Sequence, residues 1–147
     1  EGCGCEMSEV RNDAEVLDAV FTSPPYFNKA EPYSKDPRDL CNMDMDGFLS
    51  KVDVLFENLS RLIKRSNYKE RVIKPIIMTL GTSRDGENGI QDMSFHFQSI
   101  ARNHGLTLWD QMFVELNNPH VWTSLQRNYE LRMVHKNYET QVAWVKF

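Results

Sequence analysis

No stretch of this 147-residue chain approaches the roughly 18–20 apolar residues that a membrane-spanning helix needs. The chain opens EGCGCEM, with neither an initiator Met nor a basic, apolar leader, a pattern compatible with processing or truncation. Cysteine is scarce: Cys3, Cys5 and Cys41 are too few and too unevenly placed for a disulfide framework. Cys3-x-Cys5 has no second pair to complete a tetrahedral zinc site. His96, His104, His120 and His135 are scattered without ligand spacing, so no metal is expected. Reduced thiols and a cytoplasmic location are the default expectation. No G-x-G-x-x-G occurs, and Gly2-Cys3-Gly4-Cys5 lacks the preceding strand that would make it a phosphate loop. Positive charge is also short, with 17 basic against 21 acidic residues and a net charge of −4. That balance weighs against a large grip on nucleic-acid phosphates. Arg61, Lys64, Arg65, Lys69, Arg71 and Lys74 form the one dense positive stretch. It reads as a solvated helix end, with a local basic face as the alternative.

What is present is a globular composition, 41% hydrophobic and 26% charged, sized for one packed domain. Leu17 to Ser23 reads as a short buried strand. A long polar loop from Pro24 to Asp46 follows, and loops of that length inside compact domains are often functional. Asp46 is expected to cap a helix running to about Ser66, because Phe48, Val52, Leu55, Leu59 and Leu62 recur at helical spacing. Ile76 to Leu80 predicts a second strand and Thr82 to Gly89 a polar loop. Ile90, Met93, Phe97, Ile100 and Ala101 predict a second helix, stopped at Asn103-His104-Gly105 where glycine takes the left-handed conformation. Leu106 to Leu116 and Gln141 to Phe147 predict a third and fourth strand, separated by a polar loop around residues 117–122. Alternating strands and helices imply an α/β fold with a mostly parallel sheet. The last two strands lack a helix between them, so the final strand is expected to insert antiparallel.

The first strand stops on TSPPYF, residues 22–27. Neither Pro24 nor Pro25 has an N–H for a sheet ladder, and both restrict the backbone to extended conformations. In an open α/β sheet, ligands bind at the carboxyl ends of the strands. There the Ser23 and Pro24 carbonyls and the Ser23 hydroxyl form a cluster of hydrogen-bond acceptors, with Tyr26 adding a flat face. A planar exocyclic amine fits such a cluster. Its lone pair is delocalised into the ring, and two accepted N–H bonds draw the nitrogen toward tetrahedral geometry and free that pair. The ring of Tyr26 would stack on a base taken out of its helix. Pro-Pro-Tyr also occurs in loops with a purely structural role. A polyproline ligand fits less well, since PPYF lacks the P-P-x-Y spacing and abuts a buried strand.

DAVFTSPPYF resembles motif IV of the S-adenosylmethionine-dependent DNA amino-methyltransferases, Asp/Asn/Ser-Pro-Pro followed by an aromatic residue. SRLIKRSNYKERVIKPIIMTLGTSR is similar to the helix and strand that follow this motif in the family. FHFQSIARNHGLTLWDQMFVELNN is similar to the next pair, and VHKNYETQVAWVKF to the closing strand. The resemblance covers about residues 17–147 and implies a Rossmann-like methyltransferase sheet, with S-adenosyl-L-methionine as cofactor and DNA as partner. It assigns Ser23, Pro24, Pro25 and Tyr26 to the target base and its amino group. Serine at the first position is closer to the N4-cytosine subset than to the N6-adenine enzymes. Lys29, Lys35 and Arg38 flank Tyr33 where a DNA backbone would pass. The family's Gly-rich cofactor motif has no counterpart, so residues 1–16 read as a remnant of the cofactor half. A second chain or a further segment is then expected to supply that motif. The alternatives are a catalytically incomplete subunit that binds nucleic acid or a partner chain, and a methyltransferase acting on RNA or a protein amide.

Overall fold

A computed structural model describes residues 15–25, 27, 35–81, 83–85, 89–115 and 138–147. Four strands, β1 (Val20–Thr22), β2 (Pro75–Leu80), β5 (Thr107–Glu115) and β6 (Tyr138–Val145), form one sheet in the order β1-β2-β6-β5. β1 and β2 are parallel, with Val20 opposite Ile76 and Thr22 opposite Met78. β6 lies antiparallel to both β2 and β5, so β1, β2 and β5 share a direction and β6 alone runs against them. The expected antiparallel insertion of the last strand is therefore present. A β-bulge at Trp109 interrupts the β5–β6 ladder, between Leu108 and Asp110.

Helices α1 (Met45–Leu62) and α2 (Met93–Asn103) pack on one face of the sheet. Phe48, Val52, Phe56, Leu59 and Leu62 are spaced three or four apart, so one stripe of α1 is buried. Phe56 meets Phe97 of α2 and Trp144 of β6 edge to face, with ring centroids 5.9 and 5.2 Å away. Ile76, Met78 and Leu80 of β2 complete this core. Full burial of each such side chain contributes roughly 1.5–3 kcal/mol. Trp144 Nε1 is buried with no hydrogen-bond partner among the described residues. His104 Nε2 lies 2.8 Å from Asp53 Oδ1 and ties the end of α2 to α1.

The α2 stop follows the local rule. Gly105 has φ +74°, its N–H donates to Arg102 O at 3.0 Å, and Leu106 N–H donates to Ala101 O at 3.0 Å. Buried Leu106 and Ala101 sit at the positions whose apolar contact accompanies this motif.

Several boundaries differ from the sequence expectation. The cap of α1 is Asp44, whose carboxylate accepts from Gly47 N–H at 2.8 Å; Asp46 lies inside the first turn. A Cβ on Gly47 would come within 2.9 Å of that carboxylate oxygen, which explains why a poor helix former sits there. The helix ends at Leu62 rather than Ser66, because the next residues pair with the segment before β1. Leu17 N–H donates to Leu62 O and Lys64 N–H to Leu17 O, both at 2.9 Å. This pairing also takes Leu17 out of β1, which is shorter than expected. The predicted polar loop at 82–89 contributes to a hairpin, β3 (Ser83–Asp85) against β4 (Gly89–Gln91), and Ile90 belongs to β4. α2 consequently starts at Met93, with Asp92 accepting from Phe95 N–H at 3.2 Å. β6 begins at Tyr138 rather than Gln141, since backbone pairing with two neighbours extends it through polar residues.

Candidate active site

β1 ends at Thr22, and Ser23-Pro24-Pro25 follows at the carboxyl ends of the parallel strands. The register that puts Thr22 beside Met78 brings Ser23 level with Thr79. The Ser23 hydroxyl donates to the Thr79 carbonyl at 3.4 Å. A hydroxyl has one proton and two lone pairs, so this bond leaves the oxygen as an acceptor. Gln141 of β6, opposite Thr79, donates from Nε2 to Thr79 Oγ1 at 3.5 Å. Ser23 is exposed, whereas Pro24 and Pro25 are half-buried. Beyond the prolines, Phe27 packs on the core with its ring 5.4 Å from Phe48. The diproline is thus anchored on both sides, by the sheet before it and by an aromatic contact after it.

Sequence pattern does not single out Thr79, Gln141 or Phe27. The one signal for Phe27 is its place directly after PPY. Thr79 and Gln141 are recognisable only from strand register.

Tyr26, Lys29 and Tyr33 lie outside the described residues. Lys35 is exposed. Arg38 is exposed too, but its guanidinium is engaged by Asp36, Nε at 3.2 Å from both carboxylate oxygens and Nη2 at 2.8 Å from one. The Arg38 side chain, then its backbone N–H, holds the Asp36 carboxyl at about 2. A DNA phosphate there would have to compete with that carboxylate.

The dense positive stretch lies at the opposite end of the sheet. Lys74 and Lys64 contact Asp18 at 2.6 and 2.9 Å, and Arg65 and Lys146 contact Glu15 at 3.2 and 3.3 Å. These pairs join the segment before β1 to the starts and ends of neighbouring elements, a structural use of the charges. Lys69 and Arg71 remain exposed. Among the described residues no group of His, Cys, Asp and Glu has the arrangement to hold a metal ion, and no helix is long and apolar enough to cross a membrane.

No family model matches the sequence, and no curated protein matches it. Solved structures do match its fold. PvuII DNA methyltransferase, cytosine-N4-specific by name, superposes with a TM-score of 0.67 at 13% identity, over 99% of this chain and 48% of its own. A presumptive DNA modification methylase from Thermus thermophilus, complexed with S-adenosyl-L-methionine, gives 0.66 at 17% identity, over 99% and 53%. M1.HpyAVI gives 0.55 at 15% identity, over 99% and 53%. The sheet is the Rossmann-like sheet of these methyltransferases. The chain spans about half the length of the solved structures it matches.

Proposed function

We propose that this segment is the target-base side of an S-adenosylmethionine-dependent DNA amino-methyltransferase. It would act on an exocyclic amine, with N4 of cytosine favoured over N6 of adenine. The observation that carries this reading is Ser23-Pro24-Pro25 at a strand end, its hydroxyl proton committed to Thr79, within a fold shared with DNA methylases. S-adenosylmethionine would supply a methyl group already activated on a sulfonium. The chain then has to orient an amine, and no nucleophile or metal of its own is required. Acceptors at Ser23 and the adjoining carbonyl take the two N–H groups, and Tyr26 is assigned the flat contact with the base. Lys29, Tyr33, Lys35 and Arg38 are proposed to border the DNA backbone.

Among the described residues no glycine-rich turn stands at a strand end. The residues that hold the cofactor are therefore proposed to lie outside them, on this chain or on another. The outer edge of β1 is unpaired among the described strands, and Phe21 beside it is 71% exposed. That edge is where the cofactor half would join the sheet, a device that also removes the association hazard of an open strand.

The test is methyl transfer to DNA by the protein carrying this segment together with its cofactor half. Digestion to nucleosides and mass spectrometry separate the products. N4-methylcytosine that disappears in Ser23→Ala is the expected result. N6-methyladenine alone would overturn the base preference. Cofactor binding without any methylated DNA base would overturn the reading and favour RNA, protein or a binding role.

A further inference from the structure

Ser23, Thr79 and Gln141 stand in one row across β1, β2 and β6, on the sheet face opposite the helices. Both outer members donate into the middle one: Ser23 Oγ to the Thr79 carbonyl at 3.4 Å, and Gln141 Nε2 to the Thr79 hydroxyl at 3.5 Å. With those protons committed, the groups left to turn outward are the Ser23 hydroxyl oxygen and the Gln141 Oε1, both acceptors. Polar side chains half-buried in a sheet are held by such bonds, because leaving them unmade costs more than a formed bond gains.

We propose that Thr79 and Gln141 are positioning residues that polarise this row, fixing Ser23 as an acceptor and selecting a ligand that presents N–H donors. This rests on the amino-methyltransferase reading and deepens it. The row favours an exocyclic amine over a carbonyl or another acceptor at the same place on a base. A ring presenting an oxygen there would face lone pairs with no proton between them. The strand register, rather than a local motif, builds this selectivity.

The test uses the protein in the form that methylates DNA, with Thr79→Val, Gln141→Glu, Ser23→Ala and the pairwise combinations with Ser23→Ala. Valine keeps the shape of threonine without its hydroxyl, and glutamate keeps the shape of glutamine without its N–H donors. Each is expected to lower kcat about 3- to 10-fold, the effect of one hydrogen bond, with little change in KM for DNA or in cofactor affinity. Thr79→Ser, which retains the hydroxyl, should return to within about 2-fold of the parent. In the Ser23→Ala background, Thr79→Val should cost less than about 2-fold further, because both act through one oxygen. Thermal unfolding of every variant separates a loss of fold from a loss of positioning. Multiplicative losses, or unchanged kcat in both single variants, would overturn the proposal while leaving the amino-methyltransferase reading intact. A parent protein that methylates no amino group would sink both.

Discussion

The two faces of the sheet present opposite surfaces although the same strands build both. Toward the helices stand Ile76, Met78, Leu80, Val142 and Trp144, all buried. On the other side stand Phe21, Ile77, Ala143, Met112 and Val114, together with the polar row of Ser23, Thr79 and Gln141. Phe21 is 71% exposed, Met112 48% and Val114 38%. A sheet that faces water usually alternates apolar and polar residues, whereas parallel sheets are covered on both faces. The second face here is apolar around one polar row, which suits a surface that is covered in the working protein and opened only at a ligand. The first face holds the domain together; the second is proposed to meet the rest of the enzyme.

The largest expected effect sits on the covered face. Trp144→Ala should destabilise the fold by about 3–5 kcal/mol, because it empties the space between Phe56 and the sheet. Urea unfolding measures this, and a loss below about 1 kcal/mol would erase the contrast between the faces. Next comes the proposed site: Tyr26→Ala should weaken target-base binding by about 1–3 kcal/mol, while Tyr26→Phe keeps most of the stacking. Equal losses for both would assign the role to the hydroxyl instead. Asp44→Ala, which removes the cap of α1, should cost about 1 kcal/mol of stability, and Asp46→Ala clearly less.

On the open face, Phe21→Ser should change the stability of the isolated chain by no more than about 0.5 kcal/mol. The same substitution should reduce self-association of the isolated chain, which sedimentation reads directly. A large loss of stability would mean that Phe21 already belongs to the core. The smallest effect concerns Asp18. Lys74, and then Lys64, lowers its pKa from 3.8 to about 2. A depressed carboxylate contributes stability above its unfolded pKa and loses it as pH falls from about 4 to about 2. Asp18→Asn should therefore flatten the acid limb of a stability–pH curve in that window only. Its exposure and the screening of surface pairs keep the effect small.

The sequence by itself determined the elements whose cause is local. α1 and α2 follow from apolar spacing, the α2 stop from Gly105, and the end of β1 from two residues without N–H groups. It also singled out Ser23, Pro24 and Pro25, because an unusual tetrapeptide after an apolar strand is visible without any partner. Tertiary structure decided what depends on distant segments. Whether Asp44 or Asp46 caps α1 turned on which carboxylate reaches a free N–H beside Gly47. α1 stopped early because Leu17, far back in the chain, competes for its last backbone groups. Thr79 and Gln141 reach Ser23 only through parallel pairing on one side of β2 and antiparallel pairing on the other. Side-chain periodicity encodes which face of a strand is apolar, but backbone hydrogen bonds between strands, identical for every residue type, set which residues meet.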